Sequence, residues 1–105
     1  MFFRRKKSFD EYVREGKQDS NIIFLDVREK DEYISEHVVG SINWPISKIE
    51  TFDMDRSCPL FVYCRSGARS YKASNILKEK GYLNVTNIGG ILNSQSEYLY
   101  KKTIK

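Results

Sequence analysis

Two short stretches of this chain, Ile22-Ile23-Phe24-Leu25-Asp26-Val27 and Leu60-Phe61-Val62-Tyr63, are apolar almost without interruption. A strand with one face in water alternates apolar and polar residues; these do not. Short continuous apolar runs suit strands covered on both faces, as in a parallel sheet layered between helices. Helical patterns fill the intervals. Ser8-Phe9-Asp10-Glu11 reads as a capping box, opening a helix that buries Phe9, Tyr12 and Val13, with Gly16 as its stop. A short helix is expected over 31–35, then a short strand at Gly40-Ser41-Ile42-Asn43 before Pro45. Ser47-Lys48-Ile49-Glu50 reads as a second capping box. A helix over 68–80 places Ala73, Ile76 and Leu77 on one face, with Gly81 beyond it. A last strand over 84–88 is closed by Gly89-Gly90. Strands alternating with helices imply right-handed crossovers and a mainly parallel sheet, an α/β fold.

At 105 residues the chain has room for one domain and one core. No apolar run approaches the ~20 residues that cross a bilayer. The opening MFFRRKK places its phenylalanines before its positive charges, the wrong order for a secretory signal, so a cytoplasmic location and no membrane partner are expected. The net charge of +4 comes largely from Arg4, Arg5, Lys6 and Lys7 at one end and Lys101, Lys102 and Lys105 at the other. No basic stripe interleaved with aromatics accompanies it, which argues against nucleic acid. A modest positive field favours small anionic substrates.

If 59–63 is a strand, Cys58 and Cys64 stand about 20 Å apart along it, against roughly 4.4–6.8 Å for a disulfide. Two cysteines and a single histidine without ligand spacing make no zinc site, and no metal or cofactor is expected.

The stretch VYCRSGARS, 62–70, places Cys64 at the carboxyl end of a strand and immediately before a helix. Ligands of open α/β sheets bind at such ends. The first N–H groups of the helix are unpaired and its dipole is positive there. Arg65 and Arg69 add full charges, and Gly67 allows the positive φ with which successive N–H groups curl into an anion nest. Each effect favours thiolate over thiol. Cys58, on a polar loop before a proline, carries no such signal.

Four blocks, FLDVREKDEY (24–33), EHVVGSINWP (36–45), VYCRSGARS (62–70) and NVTNIGGI (84–91), resemble the single-domain rhodaneses in order and spacing, over about residues 8–92. That resemblance implies one rhodanese-like domain with a small five-stranded, mainly parallel sheet flanked by helices on both faces, and leaves 93–105 as a polar tail, a frayed helix or disordered. It implies an enzyme, a thiosulfate sulfurtransferase that moves a sulfane sulfur to a thiophilic acceptor, cyanide or a thiol, through a Cys64 persulfide. The small anionic donor would meet Arg65, Ser66, Gly67, Ala68, Arg69 and Ser70; Arg69 either docks substrate or braces the loop. Asp26 and Arg28 would hold the loop through charge-assisted hydrogen bonds. His37, Tyr33 and Trp44 are expected to be structural. The tryptophan that the family places soon after GGI is missing, since the chain reads Leu92-Asn93-Ser94-Gln95.

Three other readings remain: a carrier that exchanges persulfide sulfur with a protein donor or acceptor, a phosphatase or arsenate reductase, and a non-catalytic interaction module. The phosphatase loop places five residues between cysteine and arginine; here four separate Cys64 from Arg69. The interaction module is disfavoured by a cysteine kept within a basic loop.

Overall fold

The computed structural model describes residues 6–103; Arg4, Arg5 and Lys105 of the basic ends lie outside them. The elements are α1 (Phe9–Lys17), β1 (Ile23–Asp26), α2 (Lys30–Ser35), β2 (Glu36–Val38), β3 (Ile42–Asn43), a 3-10 turn (Ile46–Thr51), β4 (Leu60–Cys64), α3 (Ala68–Glu79), β5 (Val85–Gly90) and β6 (Leu99–Lys101). The central sheet runs β3-β1-β4-β5, every pair parallel.

Side-chain alternation along β4 shows why its sequence is apolar throughout. Leu60, Val62 and Cys64 enter one core cluster, with Leu25, Val27, Ala73, Leu77 and Tyr82. Phe61 and Tyr63 enter a second on the opposite face, with Val13, Phe24, Val38, Ile88 and Ile91. All five β4 residues are buried, so neither face tolerates a polar side chain without a partner.

The α/β architecture is the expected one, but the central sheet holds four strands, not five. Glu36–Val38 pairs antiparallel with Leu99–Lys101 as a separate two-stranded sheet. The buried Val38 N–H points at the Tyr63 hydroxyl, 3.0 Å away, so this segment lies across a face of the central sheet. The tail is correspondingly neither a frayed helix nor disordered over 93–101. The Gln95 N–H donates to the Asp10 carboxylate at 3.0 Å, and Tyr98 and Leu99 pack on the second cluster.

Two local expectations are corrected. Gly16 does not stop α1, which runs to Lys17; it is buried within the helix, where a Cβ would strike the Phe24 ring. Close packing, not a left-handed cap, is its reason. Ser47 caps nothing, because the turn starts one residue earlier from Pro45, whose carbonyl accepts from Lys48 N–H. The first capping box is present, with Glu11 N–H on Ser8 Oγ at 3.1 Å and Ser8 N–H on Glu11 Oε1 at 3.0 Å. Among the described residues no helix is long and apolar enough to cross a membrane.

Tyr63 joins the two sheets: fully buried, it accepts from Val38 N–H and lies 3.0 Å from Ser41 Oγ. Tyr63→Phe strands the Val38 N–H away from water, and the loss should be about 1–3 kcal/mol. Urea unfolding checks it; an unchanged midpoint and slope would show that this bond does not hold the small sheet down.

Candidate functional site

Cys64 ends β4 and is 1% exposed. Its thiol is packed beneath the loop that leads into α3. The N–H of Gly67 donates to Sγ at 3.0 Å and that of Ser70 at 3.3 Å, while Ser70 Oγ lies 3.3 Å away. Burial pushes the thiol pKa up, but the Ser70 hydroxyl and the N–H groups of Ser70, Gly67 and Ser66 outweigh it, and the net shift is downward. Hydrogen bonds that favour the charged form lower an acid's pKa in this way.

The curl depends on backbone that only glycine supplies. Gly67, the N-cap of α3, has φ +105°. Strand β5 lies directly against the loop: a Cβ on Gly90 would collide with the Arg65 carbonyl and fall 2.6 Å from Ser66 Cα. Beyond β5, Ile91 N–H donates to Cys64 O at 2.9 Å and Leu92 N–H to Arg65 O at 3.0 Å. Gly90 therefore lets the loop lie flat on the strand.

The two arginines differ. Arg69 forms a fork on Glu32, Nη1 to Oε1 at 2.7 Å and Nη2 to Oε2 at 2.9 Å. Its guanidinium is a brace between α3 and α2. Arg65 has no ion pair or side-chain hydrogen bond among the described residues, and it lines a cleft of about 200 Å3 with Arg28, Glu32 and Leu92. Ser66 and Gly67 lie in the loop between Cys64 and α3, which Ala68 opens and Ser70 continues.

Asp26 and Arg28 do not bond the loop. Arg28 Nη2 donates to Asp26 Oδ2 and to Glu36 O, both at 2.6 Å, with the pair almost wholly buried. Asn43 Nδ2 reaches the Asp26 and Arg28 carbonyls at 3.1 and 2.9 Å. This pair ties the end of β1 to β2 and β3, and the loop is held elsewhere. His37 is stacked on Tyr33, ring centres 3.8 Å apart, with Nδ1 2.6 Å from Tyr33 O. Trp44 packs edge-on against Phe52.

Two residues of the site went unread in the sequence. Glu32 gave no signal, since its partner is distant in the chain. Asn87 stands where β5 slips register against β4, with Val62 opposite Asn87 but Tyr63 opposite Gly89. Gly89 N–H fixes Asn87 Oδ1 at 3.0 Å, and the same oxygen accepts from the Ser70 hydroxyl at 2.7 Å. A polar residue two positions before Gly-Gly in a β-prone run is a bulge signal.

The chain matches the family described as Rhodanese-like domain over residues 9–97. It is 39% identical over 72 residues to the thiosulfate sulfurtransferase PspE of Escherichia coli, covering 65% of this chain and 69% of that protein. It is 32% identical over 102 residues to the thiosulfate:glutathione sulfurtransferase of Saccharomyces cerevisiae, covering 82% and 73% respectively. Among solved structures it resembles a rhodanese with anions from E. coli, at TM-score 0.68 and 34% identity, over 77% of this chain and 99% of that one.

The Arg69 fork holds the Glu32 carboxyl down from its ordinary 4.5 to about 2, against an opposing push from burial. A depressed folded-state value means that the pair stabilises the fold above about pH 4.5 and is lost as pH falls towards 2. Glu32→Gln should lower stability near neutrality by up to ~1 kcal/mol, as for a partly exposed pair. The gap between wild type and variant should close on acidification between those values. Denaturant unfolding across that pH range checks the sign; a gap that widened would contradict it.

Proposed function

The chain belongs to the rhodanese-like domain family, and on that premise we propose that it is a sulfurtransferase working through a persulfide on Cys64. The observation that carries this reading is the convergence of N–H and hydroxyl donors on one buried sulfur. Such a nest favours a negative charge on Sγ, and later on a second sulfur bonded to it. The Cys64 thiolate attacks the outer sulfur of thiosulfate. A new S–S bond forms, the bond to the sulfonate sulfur breaks, and sulfite leaves with the electron pair. An acceptor thiolate or cyanide then attacks the outer persulfide sulfur, and the Sγ thiolate departs with its electrons. Arg65, which has no ion pair among the described residues and lines the cleft beside the loop, is suited to dock the anionic donor. Donors already aimed at the developing charge need no reorganisation during the step.

The loop argues against phosphoryl chemistry. Arg69, the counterpart of a phosphate-clamping arginine, is committed to Glu32. A phosphoryl group on sulfur brings three more oxygens, and misplacement by about 1 Å in such a site can cost around a hundredfold.

Incubation with thiosulfate, followed by mass spectrometry, should show one added sulfur mapped to Cys64. Cys64→Ser should abolish both the adduct and sulfur transfer, whereas Cys58→Ser should retain both. Hydrolysis of aryl phosphates should be negligible. Equal loss in the two cysteine variants, or phosphatase turnover matching sulfur transfer, would overturn the proposal.

A further inference from the structure

The Ser70 hydroxyl has a single proton and more than one claimant for it. Ser70 is fully buried, so bulk water does not settle the contest. Its Oγ lies 2.7 Å from Asn87 Oδ1, 3.1 Å from Gly67 O and 3.3 Å from Cys64 Sγ. Both oxygens are acceptors only, whereas the sulfur donates as a thiol and accepts as a thiolate. The Asn87 amide is not free to turn over. Gly89 N–H donates to the same Oδ1 at 3.0 Å, and Nδ2 faces Gly67 O at 3.4 Å. A flip would set N–H against N–H and oxygen against oxygen. With a thiol, every group is satisfied when S–H donates to Ser70 Oγ and the Ser70 hydroxyl donates to Asn87 Oδ1, its nearest acceptor. With a thiolate, that arrangement would aim an oxygen lone pair at a negative charge. Turned to Sγ, the hydroxyl instead joins the N–H groups of Gly67 and Ser70, and Oδ1 keeps the Gly89 N–H.

We propose that Asn87 is a positioning residue for sulfur transfer: it holds the Ser70 proton while Sγ is neutral and yields it when Sγ carries charge. No proton changes owner; only the O–H bond turns. Its use in catalysis rests on the sulfurtransferase reading above. In the persulfide, Sγ is bonded to the outer sulfur and neutral, and the hydroxyl rests on Asn87. When the acceptor attacks the outer sulfur, the S–S bond breaks, its electron pair passes to Sγ, and the hydroxyl turns to meet it. An interaction made only as that charge develops speeds the step instead of stabilising its starting state. In the donor step Sγ spends its electrons on the new S–S bond, and the hydroxyl returns to Asn87. The hydrogen bond that the nucleophile gives up is thus regained at the amide. Charged groups approach the sulfur from other elements. Arg65 follows Cys64 in the loop, and Arg69 of α3 is held as a cation first by Glu32 of α2 and then by the sulfur's charge. Asp26 and Arg28 pair at the end of β1. Strand β5 carries no charged residue, so a change at Asn87 reaches the sulfur without breaking an ion pair.

The experiment follows the Asn87 side-chain carbonyl carbon by NMR through the Cys64 titration, in a Cys58→Ser background. Its resonance should shift with the midpoint that iodoacetamide alkylation gives for Cys64, because Oδ1 loses a hydrogen bond there. Ser70→Ala should remove that step. A step of equal size in Ser70→Ala would mean that the amide only senses the sulfur's field, and no step in either protein would mean that the hydroxyl does not turn. Each of these results overturns the proposal. Asn87→Asp is nearly the same size and a stronger acceptor. It should raise the Cys64 midpoint by about one unit and slow the discharge of a preformed persulfide by cyanide several-fold. Charge alone also raises the midpoint, and Ser70→Ala separates the two causes. Most of the rise must vanish in the double variant; a rise that persists undiminished overturns the proposal. A wild type that shows the Asn87 step yet takes up no sulfur from thiosulfate would overturn the sulfurtransferase reading and leave the hydroxyl switch in place.

Discussion

The loop over Cys64 closes only because strand β5 offers it a surface without side chains. At Gly90 a single Cβ would collide with the Arg65 carbonyl, and the loop would be lifted from the position in which the Gly67 and Ser70 N–H groups reach the sulfur. Gly67 adds the left-handed turn that starts α3. The register slip at Asn87 sets the depth of this contact, and its side chain orients the Ser70 hydroxyl. Removing any of these supports would lengthen bonds that must act together. Buried, a sulfur without donors would be an ordinary apolar thiol; with them it is biased towards the anion.

Of the three arginines around the loop, two are paired with carboxylates and one has no such pair among the described residues. Glu32 occupies Arg69, and Asp26 occupies Arg28. Both pairs are structural, joining α2 to α3 and the end of β1 to β2. Arg65 is left without an ion pair among the described residues and lines the cleft beside the loop. A bidentate guanidinium–carboxylate pair fixes the geometry of both groups, and both Arg69 nitrogens that face α2 are spent on Glu32.

The parts of this fold that the sequence announces are those set by local pattern. The apolar runs of β1 and β4, the Ser8 capping box and the long helix after Gly67 follow from burial on two faces and from cap chemistry. The nest was legible for the same reason, since a cysteine, a glycine and a helix start are contiguous. What escaped is non-local. Glu32 meets Arg69 only once α2 has packed beside α3, and β6 exists only because β2 offers it an edge. At Gly16 a close approach and a helix stop both call for glycine, and only the position of the Phe24 ring decides between them. Asp26 and Arg28, which the sequence assigns to the loop, bond each other in a buried pair instead, because the chain's path after β1 sends Arg28 to the Glu36 carbonyl.

The central claim is that the loop stabilises negative charge on a sulfur that burial alone would keep neutral. The pH dependence of Cys64 alkylation by iodoacetamide, measured in a Cys58→Ser background so that one thiol reports, tests it directly. An ordinary thiol titrates near ~8.5; Cys64 should titrate below that value, and Ser70→Ala, which removes the hydroxyl beside Sγ, should move the midpoint back up. A wild-type midpoint at or above ~8.5, unmoved by Ser70→Ala, would mean that the donors do not hold the thiolate and would contradict the account.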